Sequence, residues 1–561
     1  MTRQRSVPAA PAAALPELDL GGASWPELLA SPQKAAVEKI LPAYIKKRRW
    51  FGGKARRISG LRLSGAIPLG DASMPLALLD VSYSSGSPQT YLLPLAWREE
   101  GAVPGPVKKS PGAPIARLVL SGRRGLLYDA AYDEAFHSAF LSVFSGGKLP
   151  RCGRDGLAVE KNAPLLKAAL GRGGPPRKSR VLGGEQSNTA IVYGSSYFLK
   201  LFRRLEKGVN PDVEIGARLT RGGAFRGMPP FMGAVSLRRA GKLYGTIGLL
   251  QGYSPSRGDS WRYAQAQVSA YYGRVLSGRY AGPAPDRAGK LIGAACLEMM
   301  SLLGRRTAEM HLALSGAGRD PDFRPEPFSR RYRDSVYRSM LGLASASLRL
   351  LSRKIGDLPA AAKPGARALL GDRQAVARAF LAIRDGGISA MKIRTHGDYH
   401  LGQVLFTGRD FVIIDFEGEP AKPLGERRLK HCALRDVAGM LRSFHYAAWA
   451  PFFLPGKAPA GELRLLEPWA ELWYSYVSQA FLRAYFKAAA GAGFLPAGPE
   501  ETGALLKAFL MEKAVYELSY ELNNRPDWVE IPLKGLLRAV ADGAAVTPRT
   551  VPPAGGKKCR R

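Results

Sequence analysis

The chain has 561 residues, 46% of them hydrophobic, with 82 Lys and Arg against 46 Asp and Glu for a formal net charge of +36. Such a length allows about two to four domains with sizeable cores, and no uninterrupted apolar run reaches membrane-spanning length, so an integral helical membrane protein is not expected. The basic residues are dispersed rather than gathered around aromatic platforms, which argues against nucleic-acid recognition and for a general attraction to polyanions, ATP included. Cys152, Cys296, Cys432 and Cys559 form no C-x-x-C pair. Neither a zinc site nor a disulfide framework is indicated, which fits a reducing cytoplasm.

The first fifteen residues are basic and then rich in Ala and Pro, without the apolar core of a secretion signal, and residues 1–30 read as a disordered tail. The segment Val181 to Thr189 reads as a small, polar loop, followed by the strand Ala190-Ile191-Val192-Tyr193, a turn at Gly194-Ser195-Ser196 and the strand Tyr197-Phe198-Leu199-Lys200-Leu201-Phe202. Alternation puts Lys200 on the face of Phe198 and Phe202, where an ammonium is costly unless it meets an anion such as a nucleotide phosphate; a snorkelling surface lysine is the plainer alternative. Because the loop lacks G-x-G-x-x-G, phosphate contacts would come from backbone N–H groups and from Ser187, Asn188 and Thr189.

Asn210-Pro211-Asp212 is a helix start. Glu214 in its first turn is the expected partner of Lys200, with Glu206 the competing choice. The run Tyr244 to Tyr253 reads as a buried strand entering a hinge, where Gln251 and Tyr253 would offer backbone groups to adenine. From about Ser254 the pattern is mostly helical, including Leu291–Leu314 and Leu505–Leu522. On the first of these, His311, Met299, Met300 and Met310 are expected to serve packing.

The densest chemistry is Thr395-His396-Gly397-Asp398-Tyr399-His400-Leu401-Gly402-Gln403, followed by Phe411-Val412-Ile413-Ile414-Asp415-Phe416-Glu417. Phosphoryl transfer needs one carboxylate to orient the acceptor hydroxyl and two oxygen ligands to hold Mg²⁺ against the phosphates. Asp398, Gln403 and Asp415 stand in the frame H-R-D-x-x-x-x-N…D-F-G of protein kinases, with Gln in place of Asn. Val404–Phe406 and Phe411–Ile414 read as a hairpin that returns Asp415 beside Asp398, and two carboxylates that close call for a cation between them. An ordinary turn at His396-Gly397-Asp398, with Asp415 as a cap, is the bland alternative.

This block, with Asp415-Phe416-Glu417-Gly418-Glu419-Pro420, closely resembles the maltokinases within the aminoglycoside-phosphotransferase-like kinases. Leu41-Pro42-Ala43-Tyr44 and Arg48-Arg49-Trp50-Phe51-Gly52-Gly53-Lys54 look like the amino-terminal cap domain of that family. Glu185-Gln186-Ser187-Asn188-Thr189 with Lys200-Leu201-Phe202-Arg203-Arg204, Arg435 to Arg442, and Tyr516 to Pro526 agree with its other blocks, so the likeness runs from about Leu41 to Leu533.

The resemblance implies a bilobal, protein-kinase-like α+β fold with an added cap. Expected divisions are a tail at 1–30, a cap at 31–115, a nucleotide lobe at 116–253, a helical lobe at 254–548 and a basic tail at 549–561. It further implies ATP and Mg²⁺ as cofactors, maltose as acceptor, and functional links to trehalose synthase and a maltosyltransferase, with no nucleic acid and no membrane. A sugar subsite needs planar hydrogen-bonding groups and an aromatic face, for which Glu417, Arg427, Arg428, His431, Tyr446 and Trp449 are candidates. Asp436 and Arg442 are expected instead to brace the catalytic loop.

Overall fold

The computed structural model describes residues 15–541 except 23, 26, 72, 147–148, 171–177, 184–186, 222, 224, 279, 281, 317–319 and 455–459. The expected basic tail at 549–561 lies outside these residues. The chain divides into two compact units, one formed by residues 1–221 with 229–254 and the other by 222–228 with 255–561.

The first unit holds two sheets. In the first sheet, β1 (Glu17–Asp19), β2 (Ile58–Ile67), β3 (Leu76–Tyr83), β4 (Gln89–Glu99), β5 (Pro114–Leu120) and β6 (Arg123–Asp129) are ordered β1-β5-β6-β4-β3-β2. Period-two alternation along β3 gives the sheet two buried faces. Ala77, Leu79 and Val81 join one core with Val37, Leu41, Tyr44 and Ile45, the apolar stripe of the helix Lys34–Lys46. Leu76 and Leu78 point the other way, into a core shared with Leu199, Leu201, Val235 and Ile247.

Those last four residues belong to the second sheet, made of β7 (Arg151–Cys152), β8 (Asp155–Lys161), β9 (Ser179–Val181), β10 (Asn188–Tyr193), β11 (Tyr197–Phe202), β13 (Phe231–Arg239) and β14 (Lys242–Gly252) in the order β7-β8-β13-β14-β11-β10-β9. All its pairings are antiparallel. Directly after β11, the two-residue strand β12 (Arg204–Leu205) leaves this sheet and pairs with β4 of the first. Between them sits Arg203, fully buried, bonded to the Asp129 carboxylate at 2.8 Å and to the Thr189 hydroxyl at 2.8 Å. A guanidinium without solvent requires such partners.

Two expectations change here. Residues 15–30 are not all tail: β1 pairs in parallel with β5, and Leu28 and Leu29 are buried. A three-residue strand is too short to show periodicity. The division placed at residue 115 falls inside β5.

The second unit is mainly helical. Its central helix, Leu434–Trp449, is buried on almost every face and packs against the helices Ser260–Ser277, Ala460–Ala488, Pro499–Asn524 and Glu530–Ala541. Its buried charges, Asp436 and Arg442, therefore require partners inside the unit. The expected helix over Leu291–Leu314 starts at Ala294, because Gly293 takes φ +88° and breaks it from Pro285–Ile292. The expected hairpin is present, with Val404–Phe406 antiparallel to Phe411–Ile413. No helix among the described residues is long and apolar enough to cross a membrane.

Candidate active site

The loop carrying Asp398 is tied down before Asp398 itself is reached. The Asp436 carboxylate, 2% exposed, accepts the backbone N–H of His396 at 2.7 Å and of Gly397 at 3.0 Å, and a third bond from His311 Nε2 at 3.1 Å. Burial opposes its ionisation, but His311 and the loop groups outweigh that and hold its pKa below the ordinary carboxylate value. This is the bracing expected of Asp436, delivered through loop amides. Arg442 braces differently, pairing with Glu517 at 2.7 Å.

Gly397 has φ +85°, open to glycine at little cost, and a side chain at Gly439 would sit 2.5 Å from the Tyr399 carbonyl. The central helix can therefore press directly against the loop. His396 donates through Nε2 to the Ile414 carbonyl at 2.9 Å, fixing its tautomer, and the Tyr399 hydroxyl meets Thr307 at 2.9 Å.

Asp398 emerges from this scaffold 21% exposed, with Lys513 Nζ at 3.5 Å and His400 Nε2 at 3.9 Å. Lys513 lies on the helix Pro499–Asn524. Burial disfavours its ammonium, yet Asp398, Glu419 and Glu517 together raise its pKa above that of an ordinary lysine. Burial also lowers the pKa of His400, so its imidazole is neutral near pH 7 despite Asp398.

Gln403 and Asp415 are brought together. Gln403 donates its amide to Asp415 Oδ2 at 2.8 Å, and its backbone carbonyl accepts the Ile414 N–H at 3.0 Å. Asp415 takes φ +68°, one of three non-glycine residues at positive φ among those described, which is strain of the kind stored at functional sites. A carboxylate and a side-chain amide held together in this way are ligand types that suit a hard divalent cation.

Two cavities open beside Asp398 within this unit. One, about 890 Å³, is walled by the aromatic rings of Trp261, Tyr446, Tyr516, Tyr520 and Trp528, with Gln265, Glu517, Glu521 and Arg525 between them. The other, about 270 Å³, is lined by Glu419, Lys422, Arg427, His431, Arg435 and Glu512. Asp398, Lys513 and Tyr516 border both.

The acceptor candidates separate accordingly. Tyr446 lines the larger cavity and donates to Glu521 at 3.0 Å. Arg427 lines the smaller one, its guanidinium donating to the Glu417 carbonyl at 3.2 Å. Arg428 lies 3.6 Å from Asp322. His431 also lines the smaller cavity, but burial and Arg435 hold its pKa well below 6.5 and Tyr332 bonds its ring at 2.8 Å. Trp449 is corrected: at 3% exposure it packs against Phe452 and His445 beneath Lys534, and gives no face to a sugar.

In the first unit, Lys200 Nζ pairs with Asp212 at 3.0 Å, and Asp212 is the acid that sequence reasoning passed over in favour of Glu214. Both stand in the first turn of the helix Pro211–Arg221, and the buried Asp212 reaches the ammonium. Thr189 is likewise corrected, because its hydroxyl is fully buried against Arg203 rather than presented to phosphate. Ser187 is exposed and Asn188 begins β10. Gln251 lies within β14 between β11 and β13, and Tyr253 gives its N–H to the Ser196 carbonyl. The Tyr253 N–H is therefore committed within the first unit.

The residues missed are Lys513, Tyr516, Glu517, Tyr520 and Glu521. Their i, i+3, i+4, i+7, i+8 spacing marks one polar and aromatic helix face, a signal the sequence did carry.

Residues 44–133 match the family model of the maltokinase N-terminal cap domain. The chain is 25% identical over 370 residues to a glucosamine kinase of Mycolicibacterium smegmatis, covering 66% of this chain and 81% of that protein. It is 26% identical over 385 residues to a glucosamine kinase of Streptacidiphilus jiangxiensis, covering 67% and 76%. A solved glucosamine kinase in complex with glucosamine, ADP and inorganic phosphate superposes with a TM-score of 0.58 at 20% identity, over 92% of this chain and 99% of that one.

Residues 44–133 thus resemble a maltokinase cap, and most of the chain is similar to glucosamine kinases, which supports an ATP-dependent phosphotransferase. Its fold is kinase-like α+β with that cap added, as the sequence implied. The Asp398 loop and the Asp415 strand end, both in the helical unit, are the candidate chemical centre.

Proposed function

We propose that this kinase transfers the γ-phosphoryl group of ATP to the anomeric hydroxyl of maltose, giving maltose 1-phosphate and ADP. The observation that carries the choice of acceptor class is the larger cavity beside Asp398. Its 890 Å³ lies within the roughly 300–1,000 Å³ of small-ligand sites, and its aromatic walls suit pyranose faces. Its carboxylates are already neutralised: Glu517 by Arg442 at 2.7 Å, Glu521 by Arg525 at 2.6 Å, and Asp398 by Lys513 at 3.5 Å. An amino sugar would bring a cation with no uncommitted carboxylate to receive it. A neutral sugar exchanges hydrogen bonds with these pairs and leaves the charge balanced.

Asp398 would accept the hydrogen bond of the attacking hydroxyl and take its proton as the new P–O bond forms and the bond to the bridging oxygen of ADP breaks. Lys513 holds that carboxylate in place. Gln403 and Asp415 would hold Mg²⁺, which supplies charge neutralisation to the phosphates. Within the first unit, Lys200, oriented by Asp212, would be a nucleotide-phosphate contact. The cap, matched by the maltokinase family model, supports maltose over other neutral sugars. On this reading the enzyme works in the cytoplasm, taking maltose made by a trehalose synthase and supplying a maltosyltransferase.

The second reading is glucosamine as acceptor, favoured by the relatives' names. ATP consumption with maltose, glucose, glucosamine and trehalose, followed by phosphorus NMR of the product, tests the proposal. Maltose should be the best acceptor, phosphorylated at the anomeric oxygen, and trehalose inert because both its anomeric positions are locked. Glucosamine turned over faster than maltose would overturn it.

A further inference from the structure

The first unit contains a cavity that the reaction above does not use. It is about 730 Å³, open to solvent, and lined by Lys47, Arg48, Arg49, Lys109 and Arg180, with Glu134 as its sole acid. The five cations come from the end of the Lys34–Lys46 helix, from the end of the short helix Gly105–Lys109, and from β9. None of them has an ion-pair partner among the described residues. The chain is basic throughout, but elsewhere its cations are commonly paired, as Arg239 is with Asp80 and Arg203 with Asp129. Here like charges converge on a concavity, an arrangement that repels itself until an anion enters.

Arg48 sharpens the point. It lies over the Tyr44 ring at 4.8 Å, and its Nε is buried without a hydrogen-bond partner among the described residues. A buried, unspent guanidinium donor is costly, and a ligand oxygen would relieve it. Ser110, Ser179 and Tyr132 add hydroxyls to the wall. His137 is a strut rather than a charge. Burial lowers its pKa, and its ring bonds Ser179 Oγ and the Ala131 carbonyl, each at 2.8 Å.

We propose that this cavity binds a phosphorylated metabolite, a phosphomonoester dianion whose hydroxylated body fills the space that inorganic phosphate would leave open. Neither Lys200 nor Asp212 lines it, so it is distinct from the expected contact of the Lys200 ammonium with phosphate. Its wall includes Val181, Leu182 and Gly183, where β9 runs toward the loop preceding β10. A ligand there bridges the cap to the strand that leads into the nucleotide loop, and so adjusts the apparent affinity for ATP.

The test is calorimetric titration of the full chain with glucose 1-phosphate, glucose 6-phosphate and inorganic phosphate at fixed ionic strength, paired with the KM for ATP. The variant Lys47→Gln/Arg49→Gln/Lys109→Gln/Arg180→Gln should weaken ester binding at least about tenfold and abolish the ester's effect on the KM for ATP. A control variant with the same charge change in the helical unit, Lys290→Gln/Arg338→Gln/Arg349→Gln/Arg353→Gln, should keep both. Arg48→Gln alone should weaken binding while leaving the fold intact by circular dichroism. Equal loss in the control, inorganic phosphate binding as tightly as either ester, or no heat beyond a chloride blank would each overturn the assignment. The titration is independent of the acceptor, so its failure would leave the kinase reading standing.

Discussion

Replacing Asp436 by Asn alters one atom in a carboxylate that touches no proposed substrate, and it should still disable the enzyme. Oδ2 serves the His396 N–H at 2.7 Å and His311 at 3.1 Å, whereas Oδ1 serves only the Gly397 N–H at 3.0 Å. The asparagine oxygen will therefore take the doubly used place, turning its NH₂ toward the Gly397 amide, donor against donor. The loss is one charge-assisted bond, about 1.5–3 kcal/mol, plus about 1–3 kcal/mol for buried donors left unsatisfied. The expected destabilisation is about 3–5 kcal/mol, a large part of a typical total of about 5–15 kcal/mol. To escape the clash Gly397 must move, and Asp398 moves with it. A displacement near 1 Å costs on the order of 10²-fold in turnover. Thermal unfolding and a coupled ATPase assay on the same preparation read both effects, with nucleotide binding by the first unit retained. A variant that melts with the wild type and turns over within threefold of it would refute the bracing role.

Asp398→Asn should keep nucleotide binding and the melting temperature while losing about 10²- to 10⁴-fold in kcat; near-normal turnover would remove it from the chemistry. Asp129→Ala should cost about 3–5 kcal/mol in denaturant unfolding by stranding Arg203, whereas Asp129→Leu with Arg203→Met should recover most of that. A double variant no better than the single would mean the pair does not act as a unit. His431 and His445 are held neutral by burial and then by nearby arginines, with pKa values well below 6.5. The unfolded chain thus binds more protons below about pH 6.5, so stability should fall with pH from there, approaching about 2.7 kcal/mol per pH unit for the two. His445→Phe, removing a ring whose nitrogens lack partners among the described residues, should roughly halve that slope in calorimetry; an unchanged slope would place the acid sensitivity elsewhere.

The proposed catalytic motif was legible because Asp398, Gln403 and Asp415 lie close along the chain, where a loop and a hairpin fix their relation. Lys513 was not, since 115 residues separate it from Asp398 and only the packing of its helix joins them. Spacing ranked Glu214 over Asp212 because both are acids in one helical turn, and only the direction of the turn distinguishes them. Thr189 had the composition of a phosphate loop, yet β10 begins one residue earlier and turns it toward Arg203. Trp449 had the chemistry of a sugar platform but the wrong side of a helix with almost no exposed face.

β12 is two residues long and follows β11, the strand that holds Lys200, across the single buried residue Arg203. Through it the strand that carries Lys200 runs directly into the cap's sheet, paired with β4 on one side of Arg203 and with β14 on the other. The cap is therefore not an accessory that can be trimmed. A truncated kinase starting after β6 would present the edge of β12 unpaired and leave Arg203 without Asp129, and the disturbance would begin only three residues beyond Lys200. Engineering a minimal version of this enzyme would have to rebuild that seam first. For the same reason, sequence change in the cap is constrained by the Lys200 strand to which it is joined.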